Sequence, residues 1–213
     1  ILSGTRMGNN NKIYHGAVIA ATPQDLKFVG EETTAEIGDN NMIRENVTIS
    51  RGTASKGTTI VGSNNLLMEN SHIGHDSVVG SGCIIGNSTK IAGEVTIHDY
   101  AILSACVLVH QFSNIGSYVM IQGGSRLNKD IPPYIIVGRE PARYSGLNII
   151  GLRRRGFSNE TIKSIHEAYR EIYESGTIVS TAVARIKEKG NITPEVEYIL
   201  NFIEKVSERG IIG

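Results

Sequence analysis

His75, Gly93 and Gln111 are spaced 18 residues apart, and Asp76, Glu94 and Phe112 repeat the same spacing one residue later. His72 lies three residues before His75 and His110 one before Gln111, so three of the six histidines fall in this cluster. A histidine with a carboxylate partner is a general base suited to an alcohol. A glycine lets a backbone N–H come near a reacting carbonyl and serve as an oxyanion donor. Together these residues suit acyl transfer to a hydroxyl, with no nucleophilic Ser or Cys. A second chemistry stays open, because His72, His75 and His110 could ligate zinc and leave a fourth position free. A third reading gives them no chemistry, as solvated corner residues.

The spacing matters only if the chain stacks residues 18 apart, and its repeat does so. From Val61 to Leu127 every sixth residue is aliphatic, twelve in succession without a slip. The same phase appears at Ile37, Ile43 and Ile49, and earlier at Ile1, Met7, Ile13 and Ile19. Small or β-branched residues occupy the fifth position, among them Ser71, Ser77, Cys83, Thr89 and Val95. Period six fits neither an amphipathic helix nor a simple alternating strand. It fits short strands joined by corners, three to a triangular coil, with coils stacked at about 4.8 Å. Gly and Asn are expected at the corners because they tolerate positive φ. A narrow prism also accounts for 30 isoleucines, no tryptophan and 6% aromatics. On this ruler His110 lies about two coils, roughly 10 Å, from His72 and His75. One ion within one chain cannot bridge that gap, although a subunit interface could. Cys83 reads as core.

Two stretches, 20–36 and 52–60, break the pattern and read as loops ejected from the coil. For 52–60, a neutral insertion and a functional loop are equally open. The solenoid is expected to cover 1–137. After Pro132-Pro133 helical signals take over, and 138–213 reads as a small helical domain over the open end. Ser158 is an N-cap for a helix through Ile162, Ile165, Tyr169, Ile172 and Tyr173. A second helix is expected over 180–189. A third begins at Thr193-Pro194 and runs through Val196, Ile199, Leu200, Ile203 and Val206. The 21 basic and 21 acidic residues argue against a general nucleic-acid binder. Two cysteines are too few for a disulfide scaffold, and no apolar run is long enough to span a membrane. Ile1 in place of Met suggests that the numbering starts inside a longer protein.

Several segments together resemble one known family. They are Gln24-Asp25-Leu26-Lys27-Phe28, Ile43-Arg44-Glu45, Arg51-Gly52-Thr53, His72-Ile73-Gly74-His75-Asp76, Val109-His110-Gln111-Phe112, Asp130-Ile131-Pro132-Pro133-Tyr134, and Asn148 through Gly151-Leu152-Arg153-Arg154-Arg155-Gly156-Phe157. This combination is similar to the UDP-N-acetylglucosamine O-acyltransferases that open lipid A synthesis. The resemblance implies a left-handed parallel β-helix followed by a C-terminal α-helical domain. It also implies a homotrimer with sites between subunits, in the cytoplasm of a Gram-negative bacterium. The implied donor is a (3R)-hydroxyacyl chain on acyl carrier protein, and the implied acceptor is the 3-hydroxyl of UDP-N-acetylglucosamine. No cofactor, metal, nucleic acid or membrane span is implied.

By the same resemblance His75 is the base, Asp76 its orienting carboxylate and Gly93 the oxyanion donor. His72, His110 and Gln111 line the cleft, and Asp25 and Lys27 touch substrate from the first loop. Asn148, Arg154 and Arg155 match positions that hold the nucleotide, where Arg suits phosphate by charge and fork geometry. Gly123 falls at the family's acyl-chain ruler, which implies room for a long chain. Three departures lie around substrate: Glu94 and Ser50 where the family often has histidine, and Ile150 where it often has glutamate. Two other enzymes stay in view, a related glucosamine N-acyltransferase and a zinc carbonic anhydrase on the same coil. A scaffold that only binds carrier protein through Arg153 is the non-catalytic alternative.

Overall fold

The protein is described from a computed structural model covering residues 1–190, 192–207 and 209–213, the side chains of Lys205 and Val206 excepted. Each repeat unit forms a strand of two to four residues, and three successive strands make one coil. Strands pair in parallel with the strand one coil later, as in Val78 with Thr96, Ile84 with Ile102 and Lys90 with Leu108. Three sheets result, and each keeps its strands in chain order. The first runs from Thr5–Met7 to Asn114–Ile115, the second from Lys12–Ile13 to Ile135–Gly138, and the third from Val18–Ala21 to Arg126–Leu127. The coil is a left-handed parallel β-helix.

Every one of the twelve phased aliphatics is buried, none more than 4% exposed. Each contributes about 1.5–3 kcal/mol by leaving water. No aromatic ring enters the prism among its fully buried large side chains; Tyr169 and Phe202, the largest buried ones, belong to the helical part. The fifth-position residues also point inward, and several of the polar ones bond to the next coil, Ser77 to Ala92 O and Thr89 to Ser104 O among them. Asn65 Nδ2 donates to Gly80 O at 2.9 Å, while its Oδ1 accepts from Cys83 N at 2.7 Å. Asn41 makes the same pair of contacts one coil earlier, with Gly62 O and Asn65 N. Cys83 continues the column, donating to His98 O, and burial pushes its thiol up to about 12.

The corners meet in part the expectation that Gly and Asn supply them, with Gly16, Gly82 and Gly124 among those at positive φ. Along the regular coils positive φ recurs at one position, three residues after the inward aliphatic. Asn40, Asn46, Asn64 and Asn70 occupy it, but so do Asp76, Ser88, Glu94, Tyr100, Cys106, Phe112 and Tyr118. Coil-to-coil pairing holds these residues in the left-handed region despite their side chains. The glycine that often follows the aliphatic has a separate reason. A Cβ on Gly74 would lie 2.5 Å from the Ala92 carbonyl carbon, and one on Gly86 2.5 Å from that of Ser104.

Both ejected loops leave the coil at the edge between the third and first sheets. Across the first, the register steps to 30 residues, Thr5 pairing with Ala35; across the second it is 24, Ala35 pairing with Thr59. Past Pro133 the chain does not turn helical at once. Ile135–Gly138 joins the second sheet, and Arg143–Leu147 pairs antiparallel with it, which carries the sheet beyond residue 137. Helix α1 (Ile149–Arg154) follows, capped by Asn148, and was not expected from the pattern. Helices α2 (Asn159–Glu174), α3 (Val179–Lys189) and α4 (Pro194–Asn201) follow, with Ser158 and Thr193 as side-chain N-caps of α2 and α4. A π-helical turn over Phe202–Val206 continues α4; the Val206 side chain lies outside the described residues.

Asn65→Ala removes a buried amide that satisfies two backbone groups. We expect a loss of roughly 1–3 kcal/mol for each group left unpaired, with sheet content unchanged. Urea denaturation followed by circular dichroism checks this, and an unchanged midpoint would contradict it.

Candidate active site

His75 sits at the same prism edge that ejects both loops. The stacking anticipated from the 18-residue spacing is present there: Glu94 N donates to His75 O at 2.8 Å, and Phe112 N to Gly93 O at 3.3 Å. His75 Nδ1 lies 2.8 Å from Asp76 Oδ2. A carboxylate only accepts, so Nδ1 carries a proton, and in the neutral ring Nε2 is the acceptor. A Cβ placed on Gly93 would fall 2.5 Å from that Nε2. The glycine is therefore needed for space beside the imidazole, and its φ is not in the positive region. Its N–H has no acceptor among the described residues.

Asp76 is fully buried and its carboxylate is saturated. Thr53 N donates to Oδ1 at 2.9 Å and to Oδ2 at 3.1 Å, Thr53 Oγ1 to Oδ2 at 2.7 Å, and Lys56 N to Oδ1 at 3.2 Å. The Asp76 N–H donates in turn to Thr59 Oγ1 at 2.8 Å. Thr53 and Lys56 belong to the second ejected loop and Thr59 to the strand Thr58–Val61 that follows it, so this segment builds the His–Asp pair. Burial alone would raise the carboxyl; the bonds from Thr53, His75 and Lys56 outweigh it and hold the group below its usual range. The first loop braces the second, since Glu31 Oε1 accepts from Ala54 N at 2.9 Å. Phe28 anchors the first loop by lying under the Arg51 guanidinium, 5.3 Å from it.

His72 projects from the outer face of the third sheet, one strand position before the corner. Thr48 Oγ1 lies 2.7 Å from its Nδ1. Burial lowers its pKa, and Lys90 and His75 lower it further, so it stays neutral near pH 7. His110 and Gln111 stand two coils past His75 on the same edge. Glu94, beside Gly93, lies 4.0 Å from Lys56. Among the described residues, no three His, Cys, Asp or Glu side chains are grouped to hold a metal ion.

Of the remaining sequence-derived residues, two lie on a loop ejected from this edge and the others at different edges of a single chain. Asp25 and Lys27 are on the first loop, where Asp25 Oδ1 accepts from Lys27 N at 2.9 Å. Asn148 is engaged as a cap: its Oδ1 accepts from Gly151 N, and its Nδ2 donates to Tyr118 O at 2.9 Å. The Arg155 guanidinium stacks over Tyr100, 4.4 Å from the ring centre, at the edge between the first and second sheets. Arg154 is exposed beside it. Gly123 stands at the third edge, where a Cβ would meet Ala105 O at 3.1 Å. The residues that pattern reading missed are Thr53, Lys56, Thr59 and Arg209. Thr53 and Lys56 sit in the second loop, Thr59 on the strand after it, and Arg209 reaches His110 and Gln111 from the C-terminal tail. No spacing rule flags them, because much of what they supply is backbone N–H.

Residues 130–212 match the family model for domain 2 of UDP-N-acetylglucosamine O-acyltransferase, and 58–93 match the bacterial transferase hexapeptide (six repeats). The acyl-[acyl-carrier-protein]–UDP-N-acetylglucosamine O-acyltransferase of Stutzerimonas stutzeri is 42% identical over 208 residues, 97% of this chain and 80% of that protein. Its Pseudomonas aeruginosa counterpart is 43% identical over 202 residues, 94% and 78% of the two chains. The crystal structure of a UDP-N-acetylglucosamine acyltransferase from Bacteroides fragilis superposes with a TM-score of 0.97 at 66% identity, covering 100% of this chain and 83% of that one. The Moraxella catarrhalis enzyme gives 0.94 at 40% identity, covering 99% and 82%.

Because Asp76 binds its proton less tightly folded than unfolded, its contacts stabilise the protein above the ordinary value of 3.8. That contribution fades as pH falls through the lower folded value. Thr53→Val, which deletes one donor, is expected to cost roughly 1–3 kcal/mol at pH 7. The gap to wild type should close as acid protonates Asp76. Urea melts between pH 7 and pH 3 test this, and a gap independent of pH would count against it.

Proposed function

The chain belongs to the UDP-N-acetylglucosamine O-acyltransferase family, and from there we propose that it transfers a (3R)-3-hydroxyacyl chain from acyl carrier protein to the glucosamine 3-hydroxyl of UDP-N-acetylglucosamine, the opening step of lipid A synthesis. The observation that carries the mechanism is the acceptor Nε2 of the neutral His75 ring, with Nδ1 held on Asp76 and Gly93 alongside. Nε2 takes the proton of the 3-hydroxyl as its oxygen attacks the thioester carbonyl carbon. The Gly93 N–H donates to the oxyanion of the tetrahedral intermediate. Collapse breaks the C–S bond, and the imidazolium returns the proton to the leaving thiolate. Asp76 stays ionised throughout, fixing the tautomer and stabilising the imidazolium.

His72, His110 and Gln111 line the cleft in this reading. Asp25 and Lys27 contact substrate from the first loop, and Asn148, Arg154 and Arg155 hold the nucleotide. These groups occupy different edges of one prism, which supports assembly of the site between subunits of a homotrimer. Gly123, on the third edge, bounds the far end of the acyl chain. With no side chain there, the cleft accepts chains of about fourteen carbons or more, since such a pocket discriminates by the methylenes it buries. The reaction, drawing on a carrier-bound acyl group and a nucleotide sugar, belongs in the cytoplasm of a Gram-negative bacterium.

His75→Ala is expected to lower transfer roughly 10²–10⁴-fold, with the circular dichroism spectrum and sedimentation behaviour of wild type. Near-normal turnover in that variant would sink the mechanism. Mass spectrometry of products from a mixed-length hydroxyacyl carrier-protein pool reads the preferred chain. Supplying the glucosamine amine as acceptor separates O- from N-acylation.

A further inference from the structure

Arg209 lies in the C-terminal tail, 98 residues beyond Gln111 in the chain, and reaches the site edge. Its Nη1 stands 2.7 Å from Gln111 O and 3.1 Å from His110 Nδ1. His110 Nδ1 is itself 3.0 Å from Gln111 O. A guanidinium nitrogen only donates. With one Nη1 hydrogen on the Gln111 carbonyl and the other aimed at Nδ1, that ring nitrogen must offer its lone pair. The competing form, with Nδ1–H donating to Gln111 O, would set two hydrogens against each other. We infer that Arg209 is a positioning residue that holds neutral His110 in the Nε2–H tautomer.

The tail is fixed well enough to do this. Asp130, fully buried, accepts from Arg209 N at 3.4 Å through Oδ2 and from Asn114 N at 2.6 Å through Oδ1. Its backbone pairs with the tail as well, Asp130 N to Gly210 O at 3.1 Å and Ile212 N to Asp130 O at 2.9 Å. The Arg209 backbone is thus pinned to the coil that follows Gln111, and only its side chain is free to lose entropy.

The consequence is a division of labour along one edge. His75 has its hydrogen on Nδ1 and presents an acceptor; His110 has its hydrogen on Nε2 and presents a donor. Environments that drive two like groups to opposite protonation patterns assign them opposite roles. Resting on the acyltransferase reading, His110 donates to an oxygen of bound substrate, and Arg209 keeps it from turning the wrong nitrogen outward.

Long-range ¹⁵N–¹H spectra of the histidine-labelled full chain read the tautomer without any turnover, with His110 assigned by its loss in His110→Asn. In wild type, His110 is expected to show a pyridine-like Nδ1 and a pyrrole-like Nε2. Arg209→Ala should move the proton to Nδ1, now free to donate to Gln111 O, while the His75 signals and the thermal midpoint stay as they were. Arg209→Lys, which restores a donor, should recover the wild-type pattern. In steady-state assays Arg209→Ala should lower kcat/KM roughly tenfold, the scale of one charge-assisted hydrogen bond. A wild-type His110 protonated at Nδ1, or an alanine variant with unchanged signals, overturns the assignment. A tautomer that switches with no change in kcat/KM overturns its catalytic part. Absence of acyl transfer by wild type would instead fault the functional reading, since the spectra stand apart from it.

Discussion

Everything in this molecule hangs on parallel backbone pairing at an 18-residue step. Backbone N–H and C=O groups have to be paired when buried, and here each coil pairs with the next over all three faces. A slip of one residue would turn every inward isoleucine out, so the register is locked by the core it creates. That lock is what stacks His75 under Gly93 and Gly93 under Gln111. The pairing asks nothing of the corner side chains, which is why chemistry can be written there. The inward positions, by contrast, are confined to aliphatic, small and self-satisfying polar groups.

The His75–Asp76 pair adds a second demand that the rod alone does not meet. A carboxylate as deeply buried as Asp76 needs donors on most of its lone pairs. Its own coil supplies His75. The others come from Thr53 and Lys56, in a loop inserted one coil earlier, and that loop is steadied by Glu31 of the loop before it. The chain thus spends its irregular segments where the regular one has an unmet electrostatic need. Left-handed backbone at Asp76 is tolerable on the same account, since a short acidic side chain is among the least penalised there.

Much of this was legible in the residues. Twelve phased aliphatics define the solenoid, and the same ruler aligns His75, Gly93 and Gln111 before any coordinates. Ser158 and Thr193-Pro194 mark helix starts because caps have a side-chain signature. What stayed hidden shares one physical cause: it depends on contacts between distant segments. Thr53 and Lys56 act on Asp76 partly through backbone N–H groups, which any residue carries. Arg209 approaches His110 from the far end of the chain. The strand Arg143–Leu147 is partnered across a short hairpin with weak alternation. The corner glycines misled for a related reason, since close approach to the next coil, rather than φ, demands them at Gly74 and Gly86.

The two loops depart from the 18-residue step by twelve residues and by six. Both are whole multiples of the repeat, so a loop that folds back as coil, or a coil unit that is extruded as loop, leaves every later residue in phase. An edge built this way works like a socket: its inserts can be lengthened, shortened or exchanged in units of six while the rod above and below is untouched. The same scaffold can then carry different inserts by trading parts at a single edge.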